Sequence, residues 1–131
     1  MESAFQFTNP TLRELSFCIN KNFDNQSNHK VQVKMEMSTH ISKSSKPNEA
    51  SVSLTVEIGE KSEKNPYWIK GTEQANFRWE DEVSEDMSER LLKQNAPSLL
   101  LSYLRPIIAQ VTASSSYEAY NIPFINFAEN K

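Results

Sequence analysis

Residues 51–58 read SVSLTVEI, and their period decides the fold class. Val52, Leu54, Val56 and Ile58 alternate with Ser51, Ser53, Thr55 and Glu57. A repeat of two sends successive side chains to opposite faces of a strand, so one face is buried and the other wet. The same alternation recurs upstream. Val31, Val33, Met35, Met37 and Ile41 alternate with Gln32, Lys34, Glu36, Ser38 and His40. Earlier still, Leu15, Phe17 and Ile19 alternate with Glu14, Ser16, Cys18 and Asn20. A fourth, weaker strand is expected over residues 67–79.

The connections are polar. Residues 21–29 are Asn-rich, residues 42–48 read SKSSKPN, and residues 59–65 join the last two strands. Short polar links between amphipathic strands suit hairpins and predict a sequential, four-stranded antiparallel meander.

The period then changes. Met87, Leu91 and Leu92 recur at helical spacing, with Ser84 placed to cap the helix and an acidic stretch around its start. Asn95-Ala96-Pro97 predicts a break, with Pro97 in the first turn of a second helix. That helix carries Leu100, Tyr103, Leu104, Ile107, Ile108 and Val111 on one stripe. Pro106 lies inside it and predicts a kink near Ser102. The small-residue run 112–116 ends it, and an aromatic, Pro-containing tail covers residues 117–127. Strands followed by helices predict an α+β domain, with the two C-terminal helices on one face of the sheet. Residues 1–131 read as a single domain, without an internal repeat.

The composition narrows the function. The formal charge is −3, without a basic stripe, which argues against nucleic acid as a partner. Only Gly59 and Gly71 are glycines, too few for a phosphate-cradling loop. Cys18 is the single cysteine, which fits a reducing compartment. No apolar run approaches the ~18 residues that a membrane span needs, and the opening residues lack a signal-peptide pattern. A cytoplasmic location without membrane insertion is the expectation.

Catalytic constellations are not legible. His29 and His40 are isolated, Cys18 falls on the wet side of its strand, and the serines lack a nucleophile-elbow pattern. The run Glu80, Asp81, Glu82, Glu85, Asp86 and Glu89 lacks the glycine and spacing of a calcium loop. It reads as an acidic helix start, or as a docking surface for a basic partner. Neither enzyme activity, a metal nor a cofactor is expected. What remains is an aromatic excess: Phe5, Phe7, Phe23, Trp68, Trp79, Phe124 and Phe127 lie near strand ends, on the weak strand or in the tail. Such a set suits core packing, a protein interface or a groove for apolar segments.

Two stretches carry a family resemblance. Residues 95–105 read NAPSLLLSYLR, and residues 121–127 read NIPFINF. Together they resemble the closing motifs of SecB, the bacterial protein-export chaperone family. Phe5-Gln6-Phe7 and Glu14-Leu15-Ser16-Phe17 are similar to the family's opening strand, and Val33-Lys34-Met35-Glu36-Met37 to its second. The resemblance implies a four-stranded antiparallel sheet backed by helices. It also implies a homotetramer built as a dimer of dimers, and ATP-independent holding of unfolded polypeptides in apolar surface grooves. Candidate groove residues are Phe23, Trp79, Leu99, Leu100 and Tyr103, each of a type equally suited to core or subunit interface.

The resemblance further implies docking on the SecA motor through acidic residues on the solvent face of the sheet. Glu14 occupies one such position. Cys18 stands where the family has a second acid, and Trp68 and Lys70 stand where it has Leu and Glu. A thiol and an ammonium in place of carboxylates weaken attraction to a basic surface, so the export handover is the part of the resemblance these residues oppose. A dedicated chaperone for a single client such as an antitoxin, or an oligomeric interaction protein that has lost client binding, fits the same fold.

Overall fold

A computed structural model describes residues 1–23 and 33–128 of the chain. The expected start of the second long strand at Val31, His29 and most of the Asn-rich loop lie outside the described residues.

The element order is β1 (Phe5–Phe7), β2 (Thr11–Ile19), β3 (Met35–Lys43), β4 (Glu49–Gly59), β5 (Tyr67–Trp79), α1 (Glu85–Arg90), a π-helical turn (Leu91–Asn95) and α2 (Ala96–Ala113). The α+β class, the antiparallel sheet and the helical layer on one face agree with the sequence expectation. The strand order does not. β3, β4 and β5 form a meander, but β1 and β2 both pair with β5. The first strand thus returns beside the last, in a Greek-key order. Alternation fixes which face each strand buries but not which neighbour it takes, and the connection from β2 to β3 is long enough to cross two strands.

The opening strand is also longer than its alternating core and is split. Pro10 has no N–H to give the ladder, and it falls between β1 and β2. A bulge at Arg13 then shifts the register, so that Leu12 lies opposite Glu73 and Glu14 opposite Thr72.

The core lies between the sheet and α2. On β4, Ala50, Val52, Leu54, Val56 and Ile58 are all buried, and they meet Leu92, Leu100, Leu101, Leu104 and Ile108 of the helical layer. Each fully buried Val, Leu or Ile contributes about 1.5–3 kcal/mol. Gly59, at φ +77°, makes the turn into β5, where a Cβ would stand 2.1 Å from the Tyr67 carbonyl oxygen. Only glycine fits there.

Ser84 caps α1 as expected, its hydroxyl accepting from the Met87 N–H at 3.1 Å. The predicted break at residues 95–97 is instead a π turn, and the helical path runs on. The Ala96 N–H bonds to the Leu91 carbonyl, five residues back. A widened turn of this kind absorbs the backbone donor that Pro97 lacks. α2 likewise continues through Pro106 to Ala113.

Candidate functional site

β5 runs from Tyr67 to Trp79, and the two ends of the sheet carry separate aromatic groups. At the Tyr67 end, Phe17 of β2 lies 5.7 Å from Tyr67, Tyr67 lies 5.7 Å from Tyr117, and Tyr117 lies 6.5 Å from Phe23. These are favourable aromatic separations. The tail is folded back to this point because the Tyr120 N–H donates to the Thr112 hydroxyl at 2.7 Å. Burial holds the Tyr67 phenol above its usual range, with the nearby Tyr120 adding to it, and burial does the same to Tyr120. Both phenols stay neutral at physiological pH. Tyr67 itself is buried, so the neutral aromatic surface at this end of the sheet comes from the half-buried rings of Phe17, Phe23 and Tyr117 around it.

Further along, Arg105 fixes the tail. Its Nε donates to the Ile122 carbonyl at 3.0 Å and its Nη2 to the Pro123 carbonyl at 2.9 Å. Ile122 and Phe127 are buried as a result, while Phe124 between them is 90% exposed.

At the other end, Phe5 stacks on Phe77 at 5.5 Å and on Trp79 at 6.0 Å, and Phe7 lies 6.2 Å from Phe77. Between the two ends runs the helix-side face of edge strand β2. Leu12, Leu15 and Ile19 on that face, and Phe7 of β1 on the same side of the sheet, form a strip and remain 42%, 39%, 39% and 40% exposed. The outer edge of β2 is unpaired among the described residues. An apolar strip on an open strand edge is a surface that natural proteins normally blunt or cover.

The proposed groove residues do not come together. Phe23 belongs to the Tyr67-end cluster, and Trp79 lies at the opposite end of the sheet. Leu100 is fully buried and offers no surface, because its side of α2 packs on the sheet. Leu99 is half-buried against the core, and Tyr103 is 41% exposed on α2. Sequence reading missed Tyr67, Tyr117 and Tyr120, whose approach depends on the return of the tail. It also missed the exposure of Leu12, Leu15 and Ile19, because alternation marks a face as apolar without saying whether anything covers it.

The proposed docking residues do share one surface. Cys18 is paired with Trp68, Ser16 with Lys70, and Glu14 with Thr72, all on the face away from the helices. The charges there are matched internally. Lys70 Nζ lies 3.8 Å from Glu14 Oε1, Trp68 Nε1 donates to Glu57 at 2.7 Å, and Lys61 Nζ stands 4.3 Å from the Trp68 ring centre. Little carboxylate charge is left free to attract a basic partner. Among the described residues, no group of three or more His, Cys, Asp and Glu side chains could hold a metal ion. No helix among them is long and apolar enough to cross a membrane.

The sequence matches, over residues 1–129, the family described as "Preprotein translocase subunit SecB". The chain belongs to the SecB family. Membership supports a chaperone role. No curated protein matches the sequence. Among solved structures, the fold is similar to the Mycobacterium tuberculosis SecB-like chaperone Rv1957, solved in complex with a ChAD peptide from the HigA1 antitoxin Rv1956. That match has a TM-score of 0.67 and 10% identity, and covers 93% of this chain and 91% of the other. A protein of unknown function from Streptococcus agalactiae matches at TM-score 0.49 and 12% identity, covering 92% of this chain and 97% of that one. The SecB-like fold agrees with the resemblance read from residues 95–105 and 121–127.

Proposed function

We propose that this SecB-family chain is an ATP-independent holdase, a cytoplasmic non-enzymatic chaperone that binds extended apolar polypeptide as a homo-oligomer. The observation that carries the reading is the exposed strip Phe7, Leu12, Leu15 and Ile19, which leads into the neutral aromatic cluster Phe17, Tyr67, Tyr117 and Phe23. In this division the strip, lying on an open strand edge, serves self-association, up to a dimer of dimers. The cluster serves the client. Aromatic rings accept many apolar side chains without strict geometry, and affinity accumulates over several weak contacts along an extended segment.

The test is suppression of aggregation of several unrelated unfolded proteins, alongside a mass measurement in solution. Protection of several clients by an oligomer supports the reading. Absence of binding to both unfolded clients and a hydrophobic dye overturns it.

A second reading is a chaperone dedicated to one client, such as an antitoxin; the structurally similar Mycobacterium tuberculosis chaperone was solved with a peptide from an antitoxin. The internally paired charges around Glu14, Lys70, Glu57 and Trp68 favour it, because they leave weak means to dock a basic export motor. Binding of the SecA motor no tighter than that of an unrelated acidic protein would remove export. A Cys18→Glu, Lys70→Glu variant should gain motor binding if this face is the docking surface.

A further inference from the structure

Glu73 is out of place. It lies on β5 in phase with Tyr67, Ile69, Ala75 and Phe77, on the face that packs under the helices. It is 2% exposed, and its Oε1 has no hydrogen-bond partner among the described residues. Its cross-strand neighbours are Leu54 on β4 and Leu12 on β2. An ionised carboxylate without a partner is costly in such surroundings, and burial raises this carboxyl above its ordinary value.

Among the described residues of the strands and helix packed against it, no group supplies a charge. β4 presents Leu54, and its Glu49 and Glu57 alternate to the opposite face. On β2, Arg13 is the extra residue of the bulge and Glu14 is engaged by Lys70 on the other face. On α2, Tyr103 is exposed and Arg105 is committed to the tail carbonyls. Leu54 on β4 is fully buried, so the cover over Glu73 is thinner on its other side. There it is edge strand β2, whose Leu12 is itself 42% exposed.

We infer that Glu73 couples self-association to protons: a second copy seated on the Leu12, Leu15 and Ile19 strip binds with uptake of a proton by this carboxyl. The inference rests on the self-association reading above. A second copy fits because the strip is uncharged and lies on an open edge, and a two-fold interface sets the same patch against itself. Such an interface thickens the cover over Glu73 and brings two copies of the carboxyl toward one apolar seam. Both effects favour the neutral form. Assembly is therefore tightest where the carboxyl is already protonated in the free chain, loosens as pH rises through the window in which only the assembled carboxyl keeps its proton, and levels off above it.

The experiment is sedimentation of the full chain and of Glu73→Gln from pH 5.5 to 8, with a thermal melt to establish that each is folded. The wild type should weaken with rising pH, roughly tenfold for each unit by which the interface raises the carboxyl further. Glu73→Gln should associate with little pH dependence, near the acid strength of the wild type. An oligomer whose pH slope survives in Glu73→Gln overturns the proton coupling alone. Tightening with rising pH also overturns it, since an ionised Glu73 would then be meeting a cation such as Arg13 of the second copy. A wild type that is monomeric at every pH overturns the self-association reading and this inference together.

Discussion

β3 and β2 close the two edges of one sheet, and both alternate apolar with polar residues. On β3, Met35, Met37 and Ile41 are half-buried against the core. Charges stand along that strand: Lys34 pairs with Glu36 at 3.4 Å, and Lys43 reaches Glu89 of α1 at 3.2 Å. On β2, Leu12, Leu15 and Ile19 keep about two fifths of their surface in water. The helical layer packs on β4 and β5 and reaches β3 through the π turn, so it lies off-centre. Equal patterns thus meet unequal cover. The difference separates an edge lined by paired charges from one that leaves its apolar side chains half in water.

The comparison breaks first on stability. Leu54→Ala, in the covered centre, should cost about 2–5 kcal/mol in urea denaturation, and Leu15→Ala under about 1 kcal/mol in dilute, dissociated protein. Equal costs would mean that β2 is as enclosed as β4. The next effect concerns assembly. Leu15→Asp should leave the chain folded and weaken self-association by about tenfold or more, about 1.4 kcal/mol, in a mass measurement. The same change at Met37 on β3 should act on folding instead. For the client, Phe23→Ala should lower affinity for an apolar peptide by about 1 kcal/mol in a fluorescence titration, and should leave the mass unchanged.

Glu73 gives a pH test whose sign follows from its raised carboxyl. Below the ordinary carboxylate range, the group is protonated in both folded and unfolded chains and exacts no penalty. As pH rises through the window between the unfolded and folded values, the unfolded chain ionises first, and stability falls before levelling off. Glu73→Gln should therefore gain most over the wild type at neutral pH, with the gap closing toward pH 4.5. Smallest of all, Lys70→Met should move stability by no more than about 0.5 kcal/mol, since its pair with Glu14 is solvent-exposed.

What was legible in the sequence follows the same division. Period-2 alternation gave the long strands and put Glu14 and Cys18 on one face, because a strand's faces are local geometry, while Trp68 and Lys70 joined them through the family resemblance. The cap at Ser84 was local too. Strand order, the split at Pro10 and the meeting of Phe23 with Tyr117 join distant segments, and no local pattern encodes them. β5 read as weak for a physical reason. Two of its inward positions are Gly71 and Glu73, which dilute the apolar period at the centre of the sheet. A glutamate in phase with buried residues was the signal that could have marked Glu73.

The π turn between α1 and α2 carries one residue more than an α-helix would place there. Winding residues 91–95 at the α-helical pitch with none removed would put that extra residue into the helical phase and rotate α1 by about 100° relative to α2. Buried Ser88 would leave the sheet, and Glu89 would swing away from Lys43 on the charge-lined edge. The five residues Leu91–Asn95 therefore act as a phase adjuster. They let a short acidic helix lock β3 while α2 keeps its own stripe on β4 and β5.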